Sequence, residues 1–226
     1  MNMIHAEVLS IKKCQAPFIS HPPEIGLGFF EKNAAVNAPL FLIDNLLWSK
    51  NGYKPLVSFK IAHTENSIIL KYYVREVHLR ALIRETNGPV FKDSCVEFFI
   101  SLESNDYYYN LEFNCLGTAL VGYGSGKEKR VYIDSRLIDK ITTHQIIHNS
   151  ANTKNSLIEW ELVINIPFEI FAYHHVTSLK DVVCKANFYK CGDDLPEPHF
   201  LSWNQINYPN PNFHLPAFFG QIHFIG

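Results

Sequence analysis

Glu97 and Glu112 are the residues of this sequence best placed to do chemistry together. They sit in two alternating runs joined by the polar segment Glu103–Asp106. Val96, Phe98, Ile100 and Leu102 share one face of the first run, and Tyr107, Tyr109, Leu111 and Phe113 answer them on the second. If Leu102 pairs with Tyr107, the register of the hairpin is fixed. Phe98 then lies opposite Leu111 and Val96 opposite Phe113, facing a core. On the other face Glu97 meets Glu112, Phe99 meets Asn110, Ser101 meets Tyr108 and Cys95 meets Asn114.

Two carboxylates directly opposed across a strand pair repel. Solvated, such a pair costs little and means nothing. Out of water it requires a metal, a shared proton or a ligand rich in hydroxyl donors. Asn110, Tyr108 and Asn114 on the same face favour a polar binding surface. Catalysis is the competing reading, because opposed carboxylates can approach the separation of about 5 Å that retaining glycosidases use. One glutamate would then be nucleophile and the other, its pKa raised, general acid. A third reading makes the polar face a contact for another protein.

Other motifs carry less. Gly122–Lys127 is glycine-rich but lacks phosphate-loop spacing, with Val121 and Glu128 at the deciding positions, so it reads as a loop after a strand. His144 and His148 are spaced for metal only on a helix, whereas Thr142–Ile147 looks like a strand. Cys14, Cys95, Cys115, Cys184 and Cys191 are odd in number and lack paired zinc spacing, and are expected as buried free thiols.

The elements that must position the hairpin are strands. Val57, Phe59 and Ile61 alternate in one segment, and Ile68, Leu70, Tyr72 and Val74 follow after a turn at Thr64–Ser67. Ile158, Trp160, Leu162 and Ile164 form another, ended by Pro167, with a short helical turn expected at Phe168–Phe171. Further strands are expected at Val182–Tyr189 and Gln221–Ile225, and a helical turn within Asn33–Trp48. Strands joined by short turns predict an all-β fold, an antiparallel two-sheet β-sandwich of jelly-roll type with short helical turns. Without an internal repeat or a long linker, residues 1–226 are expected to form a single domain.

Composition narrows the partners. A formal net charge of −2 gives no electrostatic case for nucleic acid, and the run Lys127–Arg130 reads as a solvated turn. No segment reaches the roughly 18 apolar residues of a membrane span. Met1–Gln15 lacks signal-peptide order, since Lys12 and Lys13 follow the apolar stretch, so the chain is expected in the cytoplasm.

From Phe91 to Ile100 (Phe-Lys-Asp-Ser-Cys-Val-Glu-Phe-Phe-Ile) the sequence resembles the family 9 carbohydrate-binding modules. The likeness continues through Tyr107–Asn114, Gly117, Trp160–Pro167, Ala186–Tyr189, Leu201–Trp203 and Phe219-Gly220. It implies a β-sandwich that binds a sugar without transforming it, in the best-known members at the reducing end of a glycan between two tryptophan rings. The implied ligand is a mono- or oligosaccharide, the implied setting polysaccharide utilisation, with no cofactor required and a structural calcium ion allowed.

Aromatic planes grip the C–H faces of a pyranose while carboxylates and amides read its hydroxyl rim. The family's acidic residue falls on Glu97. Its two tryptophans fall on Phe91 and near Phe213, and its strand can carry Arg where Glu112 stands. The expected ligand-binding set is Phe91, Glu97, Asn110, Glu112, Asn114 and Phe213. Phe91 could equally cover a core edge, and Phe213 could pin its proline-rich loop. Trp203 is read as structural, and Trp48 and Trp160 as core; Lys185, Asn187 and Tyr189 could extend the polar face.

Overall fold

The computed structural model describes residues 11–20, 24–32, 38–149 and 157–226. The first ten residues of the leader reading, and 33–37 of the segment where a helical turn was expected, lie outside the described residues. In chain order the strands are β1 (Lys13–Pro17), β2 (Phe41–Leu42), β3 (Asn45–Leu47), β4 (Leu56–His63), β5 (Ser67–Glu76), β6 (Cys95–Ser101) and β7 (Tyr108–Asn114). There follow β8 (Ala119–Gly124), β9 (Arg130–Tyr132), β10 (Thr142–Asn149), β11 (Ile158–Pro167), β12 (Val182–Cys191), β13 (Phe200–Ser202) and β14 (Gly220–Ile225). Among the described residues, helix is confined to single turns such as Phe168–Ile170, placed where Pro167 stops β11. Within that segment Phe41–Leu42 and Asn45–Leu47 are strand instead.

The strands form two facing sheets. The larger runs β1-β14-β12-β6-β7-β8-β9, with β13 beside β12 and β3 beside β13; the smaller runs β10-β11-β5-β4-β2. The pairing is antiparallel as expected, except at one edge where β1 runs parallel to β14. Between the sheets the alternating residues meet. Phe59 of β4 stacks on Phe188 of β12 with ring centroids 3.7 Å apart, and Phe98 of β6 stacks on Phe188 at 5.0 Å. Val57, Ile61, Leu70, Tyr72, Leu162 and Trp203 complete this layer. Trp160 is buried as expected, its indole N–H donating to Glu76 Oε1 at 2.7 Å.

The hairpin β6–β7 has the expected register. Phe98 pairs with Leu111, Val96 with Phe113 and Glu97 with Glu112; the ladder ends at Ile100–Tyr109, so Ser101 and Tyr108 do not pair. The next turn depends on Gly117, whose φ of +83° suits glycine, and whose missing Cβ leaves room for Thr143 Oγ1.

Exposure departs from expectation. Every residue of β6 and β7 is buried, on both faces. The outer face of the larger sheet carries a second apolar layer in which Phe99, Tyr108, Leu120, Tyr189, Phe213 and Phe219 pack together. Period two tells which residues share a face but not whether a later loop covers that face. The Phe213–Phe219 segment, more than ninety residues downstream, is what covers it.

Candidate functional site

Four strands lay down two rows of side chains on the outer face of the larger sheet. Tyr189, Glu97, Glu112 and Leu120 stand opposite one another across β12, β6, β7 and β8; Cys191, Cys95 and Asn114 form the adjacent row. Above the first row the covering layer opens into a cavity of about 230 Å³. Its floor contains Glu97, Glu112 and Cys191. Its walls are aromatic: Trp48 just after β3, Phe91 on the helical turn Val90–Lys92, Phe200 of β13, and Phe213. Lys127, Arg130, Asp193, Asn212 and His214 supply polar atoms.

Phe91, Glu97, Glu112 and Phe213 therefore line one cavity. Phe213 also pins its loop, stacking on Tyr189 at 4.2 Å while the Tyr189 hydroxyl donates to the Phe213 carbonyl. Asn110 and Asn114 do not line the cavity. Asn110 is buried and donates from Nδ2 to Glu112 Oε1 at 2.9 Å, supporting that carboxylate from beneath. Asn114 donates to Asp93 Oδ2 and to the Ile83 carbonyl. Burial alone would raise the Asp93 pKa, but the amides of Ile83 and Leu82, with Asn114 and Arg80, hold it below the usual range. This knot anchors the chain leading into β6 and is structural. Asn187 and Tyr189 are likewise buried, so the polar face does not continue along β12.

The two opposed glutamates have different surroundings. Burial, then the nearby charge of Glu112, lifts the Glu97 pKa well above the usual glutamate value and favours its neutral form. The Cys191 thiol donates to its Oε1 at 3.1 Å. Burial raises Glu112 too, but Arg130 opposes it, with Nη1 at 3.2 Å from Glu112 Oε1. Arg130 reaches across β8 because residue 122 is glycine. A Cβ there would lie 2.7 Å from Asn110 Oδ1 and 3.3 Å from Arg130 Cδ.

Arg130 also fixes a histidine tautomer. Its Nη1 lies 3.3 Å from His214 Nε2 and can only donate, so Nε2 accepts and Nδ1–H donates to the Tyr108 hydroxyl at 2.8 Å. Burial, then Arg130, pushes the His214 pKa down to about 3, which keeps the ring neutral. At the rim, Asp193 is raised by burial to about 6 and faces the opposite charge of Lys127. The cavity thus offers donors and acceptors with nearly balanced charge.

Comparison with known proteins now has a site to refer to. The profile of carbohydrate-binding family 9 matches residues 31–224. The chain belongs to that family. A Bacteroides uniformis protein provisionally assigned as carbohydrate-binding is 37% identical, with a TM-score of 0.85, covering 95% of this chain and all of that one. Family 9 modules of Caldicellulosiruptor kristjanssonii share the fold at lower identity. The module in complex with cellotriose has a TM-score of 0.58 at 12% identity, covering 95% of this chain and 94% of that one. The module in complex with glucose has a TM-score of 0.56 at 11%, covering 95% and 96%. No curated protein matches the chain.

In this member of family 9, sequence reasoning misplaced two features. Trp48, expected in the core, is half-buried and lines the cavity, its indole N–H donating to the Tyr208 carbonyl at 2.7 Å. Its φ of +48° is rare for a bulky residue and marks local backbone strain at the cavity wall. Lys127–Arg130 is not merely a solvated turn, since its two ends line the cavity and Arg130 begins β9. Asp193 and His214 were not foreseen; nothing in their local sequence marks them.

Metal ligation has one candidate donor set among the described residues, Cys95, Glu97 and Cys191. Calcium takes six to eight oxygen ligands. Two sulfurs and one carboxylate do not suit it. No helix among the described residues is long and apolar enough to cross a membrane, which says nothing of spans made by strands.

Proposed function

We propose that the chain is a non-catalytic carbohydrate-binding protein that holds a neutral sugar, or the end of a glycan, in the cavity between Trp48, Phe91, Phe200 and Phe213. The observation that carries this reading is the single cavity in which aromatic walls stand over the Glu97–Glu112–Arg130 floor. Rings supply apolar planes for the C–H faces of a pyranose. The Glu97 carboxyl, whose neutral form burial favours, can donate and accept, while Glu112, Arg130 and Asn212 read further hydroxyls. At about 230 Å³ the cavity is smaller than typical drug-sized sites, which suits a sugar end rather than a length of chain.

Family membership and the ligands of the two Caldicellulosiruptor modules support a sugar over other polyols. The same reading places the protein in polysaccharide utilisation and asks for no cofactor. Glycosidase chemistry is disfavoured by family membership, since the matched family is one of binding modules.

Calorimetric titration with glucose, cello-oligosaccharides and xylo-oligosaccharides tests the proposal. Saturable heat with at least one of them, lost on replacing Trp48, is the expected result. A flat response across a broad sugar panel would overturn it.

A further inference from the structure

We propose that Cys95, Glu97 and Cys191 form a binding site for one thiophilic divalent cation of the zinc class at the floor of the cavity. The two Sγ atoms and a carboxylate oxygen of Glu97 lie within 4.8 Å of one another. The convergence is built into the sheet. Cys95 and Glu97 are two residues apart on β6 and so share a face, and Cys191 of β12 is the direct register partner of Cys95. Three ligands thus come from two hydrogen-bonded neighbouring strands in the buried middle of the larger sheet, with no loop required.

The spacing fits the ion. Tetrahedral zinc with sulfur at about 2.3 Å and oxygen at about 2.1 Å separates its ligand atoms by roughly 3.5–3.8 Å. Cys191 Sγ and Glu97 Oε1 are 3.1 Å apart, and the widest separation is within 4.8 Å, so sub-ångström to ångström shifts suffice. Softness fits as well, since two thiolates select zinc or cadmium over calcium or magnesium. Glu97 and Cys191 line the cavity, which provides an entry path and leaves the fourth position facing it for water.

Binding displaces the two thiol protons and the Glu97 proton to solvent, giving three anionic ligands around a dication. The residual single negative charge sits in a cavity lined by Arg130 and Lys127 together with Glu112 and Asp193.

The site shares Glu97 with the proposed sugar contacts, and its test reads the metal in the absence of sugar. The reduced full-length chain, stripped with a chelator, is titrated with cadmium while the ultraviolet thiolate-to-metal charge-transfer band is followed, then back-titrated with zinc. The expected result is a saturable band at one equivalent that zinc displaces. Cys95→Ser or Cys191→Ser should abolish it, whereas Cys14→Ser, at a buried cysteine outside the cluster, should leave it intact. Glu97→Gln should keep the sulfur band and weaken binding by an order of magnitude or more. Should a serine variant fail to fold, Glu97→Gln still decides, together with a zinc-dependent rise in Tm of the unaltered chain. Absence of a saturable band, or affinity unchanged in Glu97→Gln, would overturn the proposal.

Discussion

Glu97 and Glu112 face each other across β6 and β7, yet burial favours the neutral form of the first while Arg130 pairs with the second. The asymmetry explains how two opposed carboxylates persist out of water. Arg130→Gln should therefore leave Glu112 buried without its counter-ion and cost about 3–5 kcal/mol. The double variant Arg130→Gln/Glu112→Gln should recover a good part of that loss. Urea denaturation of the four proteins measures the coupling, and strictly additive costs would show that the pair does not act as one.

The same asymmetry predicts a pH effect of unusual sign. A glutamate whose folded pKa is raised binds its proton more tightly in the native state, so stability falls as pH climbs above about 4.5, the ordinary glutamate value, toward the folded one. Glu97→Gln removes that proton linkage. In chelator-treated protein, the Tm difference between Glu97→Gln and the unaltered chain should shift in favour of the variant as pH rises from 5 to 8. A difference independent of pH would mean that Glu97 ionises normally.

A second titration runs the other way. His199 is buried beside Lys190, whose Nζ donates to His199 Nε2 at 2.7 Å, while Nδ1–H donates to the Glu197 carbonyl at 3.0 Å. Burial, then the Lys190 charge, pushes its pKa down to about 3. The unfolded ring takes up a proton near pH 6.5 and the folded one does not, so stability present above that pH drains away as pH falls toward 3. The slope approaches about 1.4 kcal/mol per pH unit for this one group. His199→Gln preserves an acceptor for Lys190 and should flatten the acid limb of the stability profile. An unchanged limb would place the acid sensitivity elsewhere.

The sheet was largely legible in the sequence, because alternation and turn residues are local signals. The Glu97–Glu112 opposition followed from one hairpin register alone. What could not be read was coverage. Whether the outer face of β6 and β7 meets water depends on the Phe213–Phe219 segment, and whether Trp48 faces core or cavity depends on β3 pairing with β13. Arg130 was hidden for a related reason. Its reach to Glu112 passes over Gly122, a residue whose role appears only when β7, β8 and β9 are side by side.

The aromatic walls divide into a ring free to serve a ligand and a ring the fold needs. Phe213 is almost fully buried and stacked on Tyr189, so Phe213→Ala should cost about 3–5 kcal/mol and weaken sugar binding by loosening its loop. Trp48 is half-buried, with its ring centroid 5.8 Å from that of Phe213. Its backbone sits at φ +48°, a conformation glycine adopts freely and alanine does not. Trp48→Gly should therefore be more stable than Trp48→Ala by about 1 kcal/mol or more, reversing the usual order of these two residues. Both remove the same ring, so both should lower sugar affinity alike, by about tenfold or more if the plane contributes the 1.4 kcal/mol that a tenfold change represents. Calorimetry and thermal melts on the two variants separate the effects. If Trp48→Ala and Trp48→Gly bind sugar as well as the unaltered chain, the ligand does not stack on this wall; if alanine proves the more stable, the strain at Trp48 is not there to be relieved.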